Sequence, residues 1–545
     1  MAQRFDAVVV GAGINGMVAA AELALAGWRV ALIERNERIG GFVASKKGTG
    51  AAKGYTFDTY SSWHPQFVSG PAYGVLYKDL HECGLEYANT DDELCATVSE
   101  DGEVTVAYRS ARRTAAGFRR PEDGRTYRLY VERVLEDVDG IGSLLGSELR
   151  SLAGVQAALS LARSRGLLGS ERWLRDLATS GRSWCRREFE GSAVDRLWVP
   201  WLLHAGLSPD HAGGGFMIPM FAANLHTAGL PVVVGGARGL VRAFERLLRS
   251  LAVEVVTGVT VDGIVLRDGR AAGVACGPET IMADSAVLAS VTPTALYGEL
   301  LPGDAVGRQV AQEARAFRYG RGAMQVHVAL DAPLEWEDEQ LGRTPIVHLT
   351  DGSSTTGIAC AEAEAGLLPA RPAVVVGQQH LLDPSRVPPG AAALWIQLLE
   401  VPFRPRGDAA HELDVSRGWT DELARQYADR ALGRLARHVG ELEVRKVEVI
   451  SPRDLQEYNV NAVDGDPYGG EAQLDQSFIW RPLPSSSGHD THVPDLWHIG
   501  ASTHPGAGLS GTSGHMVAQR LISTTSSGGP ARGIVSRLTG RRRLS

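Results

Sequence analysis

Residues 6–34, DAVVVGAGINGMVAAAELALAGWRVALIE, contain the pattern that decides the fold. Asp6–Val10 is a short β-branched run typical of a strand buried on both faces. The alanine- and leucine-rich run after it predicts a helix that ends near Gly27, and Arg29–Ile33 predicts a second strand. Strand, turn, helix and strand in this order form the unit of a parallel sheet, so the fold class is expected to be α/β.

The turn between the first strand and the helix has the dinucleotide-binding spacing GxGxxG. Gly11 allows a tight turn, Gly13 lets the backbone approach a pyrophosphate, and Gly16 lets helix and strand pack closely. Glu34 ends the second strand, near the position about 20 residues on where an acid binds ribose hydroxyls. Its carboxylate disfavours a 2′-phosphate. At this point both FAD and NAD remain open.

Three blocks of the sequence resemble one family. Residues 8–41, with the paired Gly40-Gly41, resemble the opening of FAD-dependent oxidoreductases of the phytoene desaturase and amine oxidase group. The C-terminal run LWHIGASTHPGAGLSGTSGHMVAQRLI (496–522) and LDQSFIWRP (474–482) before it resemble the second flavin-contacting segment of the phytoene desaturase/retinol saturase branch. Residues 231–248 and 255–274 resemble the segment that closes over the adenine.

This resemblance implies FAD as the cofactor and assigns residues to it. The first glycine loop and Gly41 would lie at the pyrophosphate, Glu34 with Arg35 at the adenosine ribose, and the backbone of Val261 at the adenine. The second loop would approach the flavin ring; its glycines are Gly500, Gly506, Gly508 and Gly511.

The resemblance also implies how the chain divides into domains. We expect a discontinuous Rossmann-like FAD-binding domain with an inserted α+β substrate domain. The FAD-binding domain would comprise residues 1–95, 231–300 and 450–524, and the substrate domain residues 96–230 and 301–449. A Ser/Gly-rich basic tail, 525–545, would be disordered.

Composition narrows the classes of function. The chain has 545 residues and a formal net charge of −8, which argues against a nucleic-acid partner. Its five cysteines form no CxxC pair, which argues against a zinc ribbon, and no metal is expected. The odd cysteine count and the lack of an apolar signal region favour a cytoplasmic protein.

One stretch departs from this acidic balance. Residues 109–187 contain 16 arginines and 9 acidic residues, and their leucines are spaced as in helices. A solvated helical layer is the simpler interpretation. The alternative is a basic face that makes peripheral contact with an anionic membrane, where a lipid-soluble substrate would be found.

Candidate acid–base residues are three histidines. His504 lies beside the expected flavin ring, His327 lies on an alternating strand, and His64 follows a segment that resembles a flavin-proximal piece of the family. Amine oxidases of the superfamily keep a lysine near the flavin. The chain has no lysine between residues 79 and 445, and Met324 or Gln325 stands about where that lysine would be.

An apolar run, 198–221, predicts the wall of a substrate cavity, although ordinary core or a dimer face would have the same composition. Its methionine and aromatic side chains suit an elongated hydrophobic ligand. The wall residues expected are Trp198, Trp201, Phe216 and Met220.

The function expected is FAD-dependent desaturation, or the reverse saturation, of a carbon–carbon bond in a largely apolar small molecule such as a carotenoid, retinoid or secondary metabolite. Flavin N5 would take or give the hydride. Oxygen, a quinone or a separate carrier would reoxidise the flavin. One alternative is oxidation of an amine or a biosynthetic intermediate, and another is a flavin-binding partner protein without turnover.

Overall fold

The computed structural model describes residues 3–526, so the expected basic tail beyond residue 526 lies outside the described residues. Two large β-sheets are covered by helices. Their strands, in chain order, are β1 (Arg4–Val10), β2 (Val30–Ile33), β3 (Glu93–Val98), β4 (Val104–Tyr108), β5 (Glu254–Val256), β6 (Gly263–Arg267), β7 (Arg270–Cys276), β8 (Glu279–Ser290), β9 (Gly322–Leu330), β10 (Ile346–Leu349), β11 (Val374–Gly377), β12 (Ala392–Val401), β13 (Val444–Ile450) and β14 (Leu496–Ile499).

The α-helices are α1 (Ile14–Leu25), α2 (Pro65–Val68), α3 (Pro71–Glu82), α4 (Ala111–Ala116), α5 (Pro121–Glu136), α6 (Val138–Leu145), α7 (Leu152–Ala178), α8 (Gly181–Glu188), α9 (Ala193–Trp198), α10 (Gly214–Ala228), α11 (Arg238–Ser250), α12 (Pro293–Ala295), α13 (Arg308–Ala316), α14 (Ser353–Glu364), α15 (Asp421–Leu435), α16 (Pro452–Tyr458) and α17 (Thr512–Ser526).

The first sheet has the strand order β6–β7–β8–β1–β2–β5, and β14 pairs with β8. Strands β14, β8, β1, β2 and β5 run parallel to one another, as the opening sequence predicts. Ala7, Val8 and Val9 are fully buried because helices and loops cover both faces of the sheet. The predicted α/β class is confirmed.

Three distant parts of the chain build this sheet: residues 4–33, 254–290 and 496–499. The division into two domains stays a prediction, and two of its boundaries fall inside strands of the second sheet. Strand β3 runs across residues 95–96, and strand β13 runs across residues 449–450.

The second sheet has the order β13–β9–β12–β11–β10–β3–β4. Alternate side chains of β9 lie on opposite faces, since the strand period is two residues. Met324 and Val326 pack in an apolar core with Tyr427 of α15. Gln325 and His327 lie on the other face, which is turned toward the first sheet and its loops.

A layer of helices, chiefly α5, α8, α9 and α10, packs against this second sheet. Helices do form in the arginine-rich stretch, as its leucine spacing predicts. Several of its arginines pair with acids from elsewhere, including Arg113 with Asp92 and Arg182 with Asp210. Part of its positive charge is therefore balanced. Among residues 3–526 we find no helix both long and apolar enough to cross a bilayer.

Candidate cofactor and substrate cavity

The first glycine loop joins β1 to α1 and has the geometry that its spacing predicts. Gly11 adopts φ +87°, and a methyl group at Gly16 would collide with the Gly11 carbonyl oxygen. Gly13 precedes α1, and a methyl group placed there would meet nothing within 4 Å. No side chain among the described residues caps this helix. The positive end of α1 therefore faces open space beside Gly13, as an anion site requires.

Glu34 lies at the end of β2 and holds this loop. It is 8% exposed, and its carboxylate oxygens accept hydrogen bonds from the Ala12 and Asn36 amides, both at 2.9 Å. The Val259 amide donates to the Glu34 carbonyl, so the segment that contains Val261 lies beside the acid. Arg35 is exposed. The structure thus brings together the residues expected at the adenosine end.

The second glycine loop joins β14 to α17 and lies beside the first. Gly514 has no room for a side chain next to the Asn15 backbone, and its amide donates to Asn15 Oδ1 at 3.2 Å. Gly500 and Gly508 adopt positive φ angles, +115° and +126°. Helices α1 and α17 therefore begin side by side, and both loops open on one region.

That region is a cavity of about 270 Å³ between the two sheets. Backbone and small side chains line one part, from Gly13, Gly41, Ser290 and Gly500. Aromatic rings line another part, and they belong to Tyr60, Trp63, Trp201, Phe221 and Trp395. In the part of the chain that is described, no Asp, Glu, Lys or Arg lines this cavity.

The predicted site residues divide between the cavity and its surroundings. Those that line it are Gly13, Gly41, Trp201, Gly500 and Gly508. Gly11 and Gly16 belong to the first loop but do not line the cavity. Gly506 and Gly511 do not line it either.

The other predicted wall residues do not reach the cavity. Trp198 is fully buried in the helical core, and the ring of Phe216 packs against Trp173 at 5.0 Å. Helix α10 turns another face inward: Phe221, Asn224 and Leu225, at spacings of three and four residues, line the cavity. Met220 packs against the core of the helical layer instead.

The three predicted histidines are buried outside the cavity lining. His327 Nε2 lies 2.8 Å from the Asp58 carbonyl oxygen, His504 Nε2 lies 2.9 Å from the Leu145 carbonyl oxygen, and His64 Nδ1 lies 3.0 Å from the Tyr87 hydroxyl. Burial lowers the pKa of His64 and of His327 to about 3, and that of His504 to about 4. All three are therefore neutral at pH 7.

A buried chain of hydrogen bonds, which sequence reasoning missed, supports the second loop. Glu148 Oε1 lies 2.5 Å from His489 Nδ1, and His489 Nε2 lies 3.0 Å from Ser513 Oγ. Ser513 Oγ also accepts a hydrogen bond from the Gly500 amide at 2.9 Å. The serine is 2% exposed, so it holds the loop rather than attacking a substrate. Glu148 and His489 are 341 positions apart, and no local motif connects them.

Sequence and structure comparisons place these features in a known family. The model of the flavin containing amine oxidoreductases matches residues 14–522. The chain is 23% identical to mouse (Mus musculus) pyridine nucleotide-disulfide oxidoreductase domain-containing protein 2, over 94% of this chain and 92% of that protein. It is 24% identical to a limonene dehydrogenase subunit of Castellaniella defragrans, over 95% of this chain and 94% of that protein.

A crystal structure of an oxidoreductase from Methanosarcina mazei has the same fold, with a TM-score of 0.61 and 15% identity over 96% of this chain and 100% of that chain. The chain is therefore an enzyme of the flavin-dependent oxidoreductase class. It belongs to the family of flavin containing amine oxidoreductases.

Replacing Gly13 by alanine tests the first loop as a cofactor site. Gly13 has φ −69°, which alanine adopts, and its methyl group would project into open space. We expect Gly13→Ala to fold normally and to lose flavin affinity by at least about tenfold, because the methyl group takes the position of the phosphate. Flavin fluorescence during titration of the apoprotein measures this. Gly433→Ala, on α15 and equally open, is the matched control; a Gly13→Ala protein that binds flavin like the control would contradict the assignment.

The buried histidines predict a loss of stability in acid. His327 has a folded-state pKa of about 3, below its unfolded value, so the unfolded chain gains a proton first as pH falls below about 6.5. Between pH 7 and pH 5 this histidine alone should remove about 2 kcal/mol of unfolding free energy. Urea unfolding at pH 7 and at pH 5 should show that His327→Gln loses less unfolding free energy between these pH values than the wild type does. The Phe57→Leu control, which changes the ring stacked on His327, should keep the wild-type loss; an unchanged loss in His327→Gln would contradict the argument.

Proposed function

We propose that the flavin is FAD and that the enzyme forms or removes a carbon–carbon double bond in a largely apolar small molecule. The observation that carries this proposal is the cavity wall, which has aromatic rings and no charged side chain among the described residues. An ammonium group that leaves water is costly to bury without a partner of opposite charge, and this wall offers no carboxylate among the described residues. The name of the related limonene dehydrogenase supports an apolar substrate class.

The FAD would lie along the line formed by the two glycine loops. Gly13, Gly41 and the start of α1 would hold the pyrophosphate, and Glu34 would hold the adenosine ribose. The second loop, from Gly500 to Gly508, would lie against the flavin ring. Bound flavin supplies a two-electron acceptor or donor for hydride.

The chain's own residues orient the substrate and exclude water. Trp201, Phe221 and Trp395 supply flat apolar surfaces, and the Trp395 Nε1–H is already bonded to the Tyr60 carbonyl oxygen at 3.1 Å. His64 and His327 are neutral at pH 7 and lie outside the wall, so they add no positive charge to the cavity. Oxygen, a quinone or a separate carrier is proposed to reoxidise the flavin.

Visible absorption of the purified protein tests the cofactor, and anaerobic bleaching tests the substrate. We expect a two-band flavin spectrum, and FAD in the supernatant after heating. Under anaerobic conditions an apolar substrate with a saturated carbon–carbon bond should bleach the oxidised flavin if the enzyme desaturates, and the matching alkene should restore the colour of flavin reduced beforehand if it saturates. Primary amines should not bleach the flavin. Bleaching by an amine together with peroxide release in air would favour amine oxidation, and release of FMN or no flavin would refute the cofactor assignment.

Peripheral membrane contact is a second part of the proposal. Helix α7 exposes several large apolar side chains, of which Leu167 and Leu168 are 92% and 86% exposed. Residues 149–170 contain three arginines and no acid; Arg165 pairs with Asp137, and the positive charge of the other two favours an anionic lipid surface. The ring of Trp173 on α7 packs against Phe216 on α10. The helix that exposes these leucines therefore contacts the helix that lines the cavity.

Flotation with liposomes tests this contact. We expect binding to vesicles that contain anionic lipid, reduced at least about threefold in a Leu167→Asp, Leu168→Asp variant, because charged groups resist burial among lipid chains. Val444→Asp, an exposed residue on the second sheet, should bind like the wild type. If the wild type floats with neither anionic nor neutral liposomes, membrane contact is excluded.

A further inference from the structure

Two imidazoles meet at the wall of the cavity. His204 lies in the 3₁₀ turn Val199–Ala205, and His348 lies on β10. Their Nε2 atoms are 3.1 Å apart. His204 lines the cavity, whereas His348 is 1% exposed behind it. The pair therefore joins the cavity surface to the second sheet.

The orientation of this pair is set by its surroundings. Trp201 packs on His204 with ring centroids 4.7 Å apart and meets the edge of His348 at 5.2 Å. Burial lowers the pKa of His204 to about 4 and that of His348 well below its ordinary value. Both rings are neutral at pH 7, so one N–H is shared between the two Nε2 atoms.

This shared hydrogen bond leaves one nitrogen of His204 for a ligand. The only hydrogen bond of the His204 ring to another described residue is the one from Nε2 to His348, so its Nδ1 has none. If His348 donates the shared proton, His204 Nδ1 carries hydrogen and donates; if His204 donates, its Nδ1 accepts. A hydroxyl group matches both arrangements because it donates and accepts, whereas a carbonyl oxygen matches only the first.

The neighbouring wall makes an unpaired nitrogen costly. Trp201, Phe221, Ile346 and Trp395 present apolar surface near the pair. An apolar substrate that displaces water from this surface would leave Nδ1 without a hydrogen bond, and such a group is expensive to bury. A substrate that carries its own polar atom at this point avoids that loss.

We propose that His204, held by His348, is a substrate-binding residue that hydrogen-bonds a hydroxyl group of the substrate. The inference rests on the proposed function and narrows its substrate class to apolar, terpenoid-like alcohols. The residue orients the substrate and takes no part in hydride transfer.

The test compares three monoterpenes that differ at one carbon. Limonene has only hydrogen at this carbon, carveol has a hydroxyl group, and carvone has a carbonyl group. Quenching of tryptophan fluorescence in the flavin-loaded enzyme measures their affinities, since three tryptophans line the cavity. We expect carveol to bind about two- to tenfold more tightly than limonene, the value of one net hydrogen bond. Carvone tests the tautomer and should bind as tightly as carveol only if His348 donates the shared proton, so that His204 Nδ1 carries hydrogen and donates to the substrate.

Variants separate this role from a structural one. His204→Phe should lose the preference for carveol while retaining limonene affinity. Gln397→Leu, which changes another polar residue of the wall, should keep the preference. If His204→Phe does not fold, the double variant His204→Leu, His348→Leu removes both partners of the bond and carries the same expectation.

The outcomes distinguish the two proposals. Equal binding of carveol and limonene by the wild type would overturn the hydroxyl inference and leave the apolar substrate class intact. A carveol preference that survives in His204→Phe and disappears in Gln397→Leu would also overturn it. Failure of all three probes to bind would overturn the inference together with the apolar substrate class.

Discussion

The close approach of α1 and α17 determines where everything else in the site lies. A side chain at Gly514 would collide with the Asn15 carbonyl, so the two helix starts touch backbone to backbone. Each start carries the partial positive charge of a helix N-terminus, and an anionic ligand between the two loops relieves that juxtaposition. The cavity opens from this point, and the second sheet supplies its far wall. A single bulky residue at this contact would separate the two loops between which the cavity opens.

The parts of the site predicted from sequence are those in which the backbone restricts the residue type. Gly11 needs a positive φ angle and Gly16 needs a missing side chain, so spacing alone marks them. The substrate wall was harder to predict because α10 is apolar on more than one face. Phe216 and Phe221 are both aromatic residues of α10. Tertiary packing places Phe216 against Trp173 and Phe221 at the cavity, and the neighbours that decide this lie far away in the sequence. The Glu148–His489 pair could not be predicted for the same reason. Its two residues are 341 positions apart, so no local sequence pattern connects them.

The distribution of charge explains why the cavity can be selective without charged groups. The chain is 22% charged, and the buried charges near the cavity are held by backbone groups or by ion pairs, as Asp466 is by three backbone amides. Arg386, 2% exposed, donates to Asp58 Oδ2 at 2.6 Å and to Asp383 Oδ2 at 3.0 Å, and so pairs with two carboxylates beneath the loop that carries Tyr60. The wall is left with aromatic rings and neutral hydrogen-bonding groups.

The origin of the first sheet in three separated stretches has a consequence for how the enzyme is made. Strand β14, residues 496–499, can join β8 only after residues 291–495 have been synthesised, and the second loop follows it. Contacts between such distant residues form slowly, because a long loop must close before they gain any stability. A flavin held by both loops, as proposed, would therefore gain its full set of contacts only after β14 has joined the first sheet. Its supply at that stage would shorten the time for which the incomplete protein is open to aggregation and proteolysis.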